Sequence, residues 1–284
     1  DTNADGTPDI MIGVPTASPN GQAQSGRVFV YSGTDGSRLH RIDGEAQFDW
    51  FGFSISAAGD VNLDGYADFY VGAPLADGNG LADAGSTYLF SGKNGNLMLQ
   101  QNGAASGDAF GTAVSAGLDI DNDSIPDLIT GATGADHNGL ISVGTAIAAS
   151  GLDGSIIYQY WGANENDILG NAVALMPDLN QNALGEMLIG APLLDVGPAV
   201  ETGWAGIVGY SPYLSADVQN FSAAAGGVVT FGLQFPQEFA KANYRLLGSA
   251  TGMGPFNFGG IDIPLTPGDF LWDELIAPNP PAIF

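Results

Sequence analysis

Asp60-Val61-Asn62-Leu63-Asp64-Gly65-Tyr66-Ala67-Asp68 decides the reading of this chain, because the same nine-position pattern recurs at a step of 59 residues in both directions. Upstream it is Asp1-Thr2-Asn3-Ala4-Asp5-Gly6-Thr7-Pro8-Asp9, and downstream Asp119-Ile120-Asp121-Asn122-Asp123-Ser124-Ile125-Pro126-Asp127. A fainter fourth version runs Asp178-Leu179-Asn180-Gln181-Asn182-Ala183-Leu184-Gly185-Glu186. Other landmarks keep the same step. Ile12-Gly13-Val14-Pro15 maps onto Val71-Gly72-Ala73-Pro74, Thr130-Gly131-Ala132-Thr133 and Ile189-Gly190-Ala191-Pro192, and Phe51-Gly52 maps onto Phe110-Gly111 and Leu169-Gly170. A fixed period of this kind marks an architecture of stacked units, each unable to bury its apolar faces alone.

Within the second repeat, stretches at 53–58, 67–72, 86–90 and 97–101 are strand-length, rich in apolar and small residues, and bounded by Gly, Asn or Asp. Lys93-Asn94-Gly95 predicts a tight hairpin between the last two. Four antiparallel strands per repeat make one sheet, and radial stacking of such sheets is an all-β propeller. Phe51, Phe53, Phe110, Val71, Ile129, Ile189 and the Gly and Ala of the Gly-Ala-Pro segments are the expected contacts between sheets. The chain holds the equivalents of fourteen strands, about three and a half blades: the first repeat lacks its leading strand and the fourth a clear final one. Closed propellers have about four to eight blades. The expectation is therefore a fragment with further blades outside this sequence, or four imperfect blades closing alone, or two chains combining.

Composition agrees. Gly 43 and Pro 16 among 284 residues, with 45% hydrophobic, point to many short strands and turns. A chain of this length buries about three-quarters of its unfolded surface. Six Lys and Arg against 31 Asp and Glu leave a formal charge of -25, which repels nucleic-acid phosphates and anionic lipid headgroups. With no apolar run of about 18 residues, direct membrane insertion is not expected. Cysteine is absent, so disulfides and thiolate metal sites are excluded. An opening at Asp1, with no charged and apolar leader, suggests a processed chain or a fragment.

The nine-residue loops set hard oxygen ligands at alternate positions around a tight turn, as calcium requires. Positions 1, 3, 5 and 9 supply side chains, and position 7 its backbone carbonyl. The expected ligands are Asp1, Asn3, Asp5, Thr7 and Asp9; Asp60, Asn62, Asp64, Tyr66 and Asp68; and Asp119, Asp121, Asp123, Ile125 and Asp127. In the fourth loop they are Asp178, Asn180, Asn182 and Glu186. An EF-hand needs a Glu at position 12, where this chain has Ile12, Val71 or Thr130. Isolated Asp/Asn/Gly clusters are ordinary Asx turns; three in register favour metal. The expectation is three calcium sites and a weak fourth, the third loop binding tightest because it carries four carboxylates, with dissociation constants of about 0.1–1 mM. Calcium would be structural.

No nucleophile elbow, His-Glu-x-x-His or phosphate loop is present, so no enzyme activity is expected. His40 and His137 are read as solvated loop histidines, and Asp49, Asp108 and Asp167, each two residues before the Phe-Gly or Leu-Gly step, as turn residues. Trp50, Trp161 and Trp204 are read as blade packing ahead of a sugar or peptide surface.

The paired Phe-Gly and Gly-Ala-Pro signatures flanking a metal loop resemble the FG-GAP repeat, the blade of the integrin α-subunit propeller and of many secreted bacterial proteins. The resemblance covers about 1–214, with repeats starting at 1, 60, 119 and 178. It implies an extracellular or cell-surface, calcium-binding propeller for adhesion or ligand binding, with a protein or carbohydrate partner on the loop face opposite the metal loops. That face corresponds to 16–25, 75–84, 134–143 and 193–202, and to 44–50, 103–109 and 162–168. The rival is an accessory, non-catalytic propeller of a larger secreted hydrolase acting on phospholipid or polysaccharide. From 215 to 284 the period stops; expected strands at 228–235, 244–248 and 261–265 suggest a small sandwich-like β module, similar to one that follows FG-GAP repeats in secreted bacterial proteins.

Overall fold

The computed structural model describes residues 1–179, 184–194 and 202–209, and the backbone of four further strands. The chain divides into two compact units, Asp1–Tyr210 and Ser211–Phe284. In the first unit each 59-residue period becomes one antiparallel sheet. The first sheet is β1 (Ile10–Gly13), β2 (Arg27–Tyr31) and β3 (Arg38–Asp43). The second is β4 (Ser54–Gly59), β5 (Asp68–Ala73), β6 (Ser86–Phe90) and β7 (Leu97–Asn102). The third is β8 (Phe110–Leu118), β9 (Asp127–Ala132), β10 (Thr145–Ala149) and β11 (Ile156–Trp161). The fourth is β12 (Ala172–Met176), β13 (Glu186–Ala191) and β14 (Trp204–Gly209). Register places β1 opposite the second strand of the other sheets, so the first sheet lacks a leading strand and the described part of the fourth lacks a last one.

These sheets, the second and third of which have four strands each, are the blades of a propeller fold, and their stacking forms the core. β5 (Asp-Phe-Tyr-Val-Gly-Ala) and β9 are buried at every residue, because each has a sheet on both sides. Side-chain alternation splits β5 between the two neighbours. Phe69 and Val71 join Val28, Val30 and Phe51 toward the first sheet, while Tyr70 joins Leu89, Val114 and Leu128 toward the third. Burial of each large apolar side chain contributes about 1.5–3 kcal/mol. A third cluster, including Ile129, Ala148, Leu169, Met187 and Ile189, joins the third and fourth sheets. The buried Tyr70 hydroxyl bonds Thr87 Oγ1 in its own sheet and Thr130 Oγ1 in the next, both at 2.7 Å, and burial pushes its pKa up to about 12.

Backbone conformation obeys the period as closely as the sequence does. Left-handed residues fall at Asn20, Asn79 and Asn138, at Gln24, Asp83 and Ser142, and at Trp50, Ala109 and Ile168. One expected core residue is corrected: Phe53 is 45% exposed. The chain turns at Trp50 (φ 57°) and Gly52 (φ 85°), so Phe51 enters the inter-sheet core while Phe53 stacks outside on Trp50, ring centres 5.8 Å apart.

In the second unit, β15 (Leu214–Ala216) pairs with β16 (Phe231–Leu233), and β17 (Gly254–Phe258) with β18 (Ile261–Leu265), both antiparallel. The strand expected at 244–248 lies outside the described residues.

Neighbouring sheets touch backbone to backbone at the paired glycines. A Cβ on Gly131 would lie 1.8 Å from the Gly170 carbonyl oxygen of the following sheet, whereas one on Gly190, the same position in the fourth sheet, meets nothing nearer than Ala172 Cβ at 3.5 Å. Gly131→Ala is therefore expected to destabilise the fold by about 1–3 kcal/mol through overpacking, and Gly190→Ala to cost far less. Urea unfolding of the two variants tests this; equal losses would contradict an inter-sheet origin.

Candidate metal centre

The second and third nine-residue loops join the first strand of a sheet to the second, at the same end as the hairpin between the third and fourth strands, and the first loop leads into β1. Its shape comes from carboxylates capturing backbone N–H groups. In the second loop, Asp60 accepts from the Asp64 amide (2.9 Å) and the Gly65 amide (2.8 Å), Asn62 Oδ1 from Asp64 (3.0 Å), and Asp64 from Tyr66 (3.1 Å). The first loop repeats this with Asp1, Asn3 and Asp5 receiving Asp5, Gly6 and Thr7, and Thr34 Oγ1 adds a bond to Asp5. The third does so with Asp119, Asp121 and Asp123 receiving Asp123, Ser124 and Ile125. Position 6 is left-handed in all three, at φ 85° for Gly6, 88° for Gly65 and 73° for Ser124. The serine bears a Cβ penalty the glycines avoid.

The position-9 acid has a second duty, tying the loop to the distant hairpin. Asp68 accepts from the Val61 amide (2.9 Å) through one oxygen and from the Gly92 amide (3.0 Å) through the other. Asp9 does the same with Thr2 and Gly33, and Asp127 with Ile120 and Gly151. Glu186 accepts from Leu179 at 2.7 Å. The glycine donors were not singled out by sequence reasoning, although Ser32-Gly33, Ser91-Gly92 and Ser150-Gly151 keep the 59-residue step.

Among the described residues, one group of three carboxylates converges as a metal would require: Asp119, Asp121 and Asp127, with ligand oxygens all within 4.8 Å. Asp123 lies outside that group, its Oδ1 taken by the Ile125 amide at 2.7 Å. In the first two loops the place of Asp121 is taken by Asn3 and Asn62, so that trio of carboxylates has no counterpart there. Asn180 and Asn182 lie outside the described residues, and Asp178 is exposed.

Electrostatics single out the same loop. Burial, with the charges of Asp121 and Asp123 added, pushes Asp127 up to about 7 against hydrogen bonds from Ile120 and Gly151. Burial and then the charge of Asp123 raise Asp121. Burial also raises Asp68, whereas the exposed Asp5 is lowered by hydrogen bonds from Thr7, Asn3 and Thr34. A divalent cation is the group that would relieve the crowding in the third loop, and carboxylates with hard oxygens suit calcium or magnesium.

The other singled-out residues have local roles. Asp108 accepts the Ala104 and Ala105 amides at 3.0 and 2.8 Å, and Asp167 those of Ala163 and Asn164 at 2.9 and 2.7 Å, as turn residues do. Neither histidine is a solvated loop residue. His40 lies half-buried on β3, where its Nε2 meets the Gly92 carbonyl of the next sheet, and His137 stacks on Trp161 with ring centres 4.2 Å apart. His137 does lie in a loop, as expected, but its ring and that of His40 are half-buried against partners on other elements, out of reach of a sequence window.

Comparison with known proteins places these features. The FG-GAP repeat family model matches residues 51–90 and 110–144. Integrin alpha pat-2 of Caenorhabditis briggsae is 35% identical over 156 residues, 46% of this chain and 12% of that protein. Integrin alpha-V of Gallus gallus is 29% identical over 203 residues, 67% of this chain and 19% of that protein. A solved rhamnogalacturonan lyase, YesW, is 15% identical, covering 66% of this chain and 39% of its own with a TM-score of 0.41. Two stretches of the chain thus match the FG-GAP repeat and the chain is similar to integrin α subunits, while it spans under a quarter of the length of those two.

Without divalent ions the folded chain holds a proton on Asp127 up to about pH 7, while an unfolded Asp releases it near its ordinary 3.8. The folded state binds the extra proton between those values, so the contribution of Asp127 to stability is present at low pH and lost as pH rises through that window. In chelator, the unfolding free energy of wild type minus that of Asp127→Asn is expected to fall steadily from about pH 4 to 7. A difference that rises over that range would show a carboxylate already ionised at its foot.

Proposed function

We propose that these FG-GAP sheets belong to an extracellular, calcium-stabilised propeller that mediates adhesion or protein binding and has no catalysis of its own. Residues 1–214 form the propeller part and 215–284 a separate β module. The observation carrying the calcium reading is the convergence of Asp119, Asp121 and Asp127 in a loop whose burial already disfavours ionisation of Asp121 and Asp127. A bound dication removes that cost, and by clamping the loop it fixes the corner between the first two strands of the sheet. The equivalent ligands in the other loops are Asp1, Asn3, Asp5, Thr7 and Asp9; Asp60, Asn62, Asp64, Tyr66 and Asp68; and, weakly, Asp178, Asn180, Asn182 and Glu186.

The binding face is at the other end of the strands. There the loop before each Phe-Gly step is bonded to a loop of the preceding sheet: Phe48 and Trp50 donate to the Ala23 and Gln24 carbonyls, Gly107 and Ala109 to Ala82 and Asp83, Asn166 and Ile168 to Ile141 and Ser142. Loops fixed in pairs make a surface that binds without reordering. On it Phe48, Phe53 and Ile141 are exposed, outside the repeat pattern and free of core duty. The similarity to integrin α subunits supports a protein ligand. No helix among the described residues is long and apolar enough to cross a membrane, which is compatible with secretion.

Isothermal titration with calcium tests the metal half of this reading. Wild type is expected to bind and to melt higher with calcium than with chelator. Asp121→Ala is expected to lose the tightest site, and Asp123→Ala to weaken it less. Ser124→Gly should keep the site and gain about 1 kcal/mol by relieving the left-handed serine. Unchanged binding heat in Asp121→Ala would remove the third loop as a calcium site.

A further inference from the structure

Six Asp-Gly pairs lie along the chain, at 5–6, 35–36, 43–44, 64–65, 77–78 and 153–154. At such a step the backbone can rearrange, because glycine has no side chain to shield its nitrogen from the carboxyl group of the preceding residue. The six differ in what holds the glycine amide. Gly36, Gly44, Gly78 and Gly154 donate to the backbone carbonyls of Ser32, Gly26, Ala76 and Ser150, at 2.9, 3.0, 2.9 and 2.8 Å. Gly65 and Gly6 donate instead to carboxylates, Asp60 at 2.8 Å and Asp1 at 2.7 Å. A carbonyl can hold an amide proton; a carboxylate can also remove it.

The carboxyl group that would be attacked is held in place as well. Asp64 Oδ1 receives the Tyr66 amide at 3.1 Å, an Asx turn that folds the side chain back along the peptide following it. Asp5 makes the same turn with Thr7. So do Asp35 with Ser37 and Asp153 with Ser155, at 2.8 and 2.9 Å, and these two pairs share the turn but lack the base. The third loop has the base without the glycine. Asp119 holds the Ser124 amide at 2.8 Å and Asp123 makes the turn to Ile125, but the serine side chain crowds the nitrogen.

We propose that Asp64-Gly65, and in the same manner Asp5-Gly6, is a self-modification site where the backbone rearranges to isoaspartate, with Asp60 as the base for the first of these. The Gly65 nitrogen bonds to Asp64 Cγ as its proton passes to Asp60. One carboxyl oxygen of Asp64 leaves as water, carrying that proton and one from solvent, and a succinimide ring remains. Water then breaks the bond between the glycine nitrogen and the Asp64 main-chain carbonyl. The chain now runs through the former side chain and carries a free α-carboxylate. This adds a methylene to the main chain inside the loop, so the Asp64 and Gly65 amides lose their register with Asp60. A cation bound to Asp60 and Asp64 would block the reaction, restricting it to loops that have lost their metal. This protection, unlike the rearrangement itself, rests on the calcium reading.

Ageing the full chain in chelator at neutral pH tests the assignment. Electron-transfer fragmentation locates each isoaspartate, and an isoaspartyl carboxyl methyltransferase with labelled S-adenosylmethionine counts the total. Asp64 is expected to convert at least ~10-fold faster than Asp35 or Asp153, a small share of the roughly 10²–10⁴-fold that a placed general base supplies. Asp60→Asn keeps an oxygen acceptor for the Gly65 amide but removes the base, so conversion of Asp64 should fall to the rate of Asp35. Ser124→Gly should gain a new site at Asp123. Equal rates at Asp35, Asp64 and Asp153 would overturn the proposal, as would an undiminished rate in Asp60→Asn or no isoaspartate at Asp123 in Ser124→Gly. Added calcium is expected to slow Asp64. If it leaves the rate unchanged while Asp60→Asn lowers it, the rearrangement stands and the calcium site of the second loop falls.

Discussion

A β-sheet has two faces, and a four-stranded sheet made of small and apolar residues can leave neither in water. That constraint governs this protein. Each period is too small to cover itself, so its neighbours must do so, and the sequence is spaced to let them. The paired glycines are part of the same requirement: only without a Cβ at Gly131 can its backbone lie against the Gly170 carbonyl of the next sheet. The side chains then interdigitate, with Phe69 and Val71 to one side and Tyr70 to the other. The Tyr70 hydroxyl, which burial would otherwise strand, is satisfied by a threonine from each of two sheets.

The nine-residue loops and the hairpins sit at one end of this stack, and their chemistry follows from the same crowding. A position-9 acid is drawn inside by the two backbone amides it must satisfy, one from its own loop and one from the hairpin of its sheet. In the first loop that acid keeps partial contact with water, and its hydrogen bonds from Thr2 and Gly33 outweigh the burial that opposes them, holding its pKa low. In the third loop burial prevails and neighbouring carboxylates add to it. Loops of nearly identical sequence thus differ in electrostatics because their depth differs. Three carboxylates converge at Asp119, Asp121 and Asp127 because position 3 of that loop is an acid, where the first two loops have Asn3 and Asn62.

The opposite end is built on another principle. There the loops of adjacent sheets are bonded to one another in pairs, so the surface inherits the rigidity of the stack. Departures from the repeat gather on it. Phe48, Trp50 and Phe53 are aromatic where the next period has Gly107, Ala109 and Thr112, and Trp50 stacks on Phe53. A position free of the period is free of the stacking requirement, and is where recognition can be placed without cost to the core.

The 59-residue step alone was sufficient for the sheet count, the fourteen strands, the missing first and last strands and the inter-sheet places of Phe51, Val71, Ile129 and Ile189, because each depends on local alternation repeated at a constant interval. The alternating acid and amide positions of the loops were legible for the same reason. Tertiary structure decided what depends on distant neighbours. Phe53 turns outward because Trp50 and Gly52 adopt left-handed backbone. His40 meets Gly92 across 52 residues of chain. Asp127 is driven to about 7 by burial that no nine-residue window contains. Periodicity fixes which residues can face a neighbouring sheet; only the assembled stack determines how deeply each is buried, and burial sets the charge state of a carboxylate.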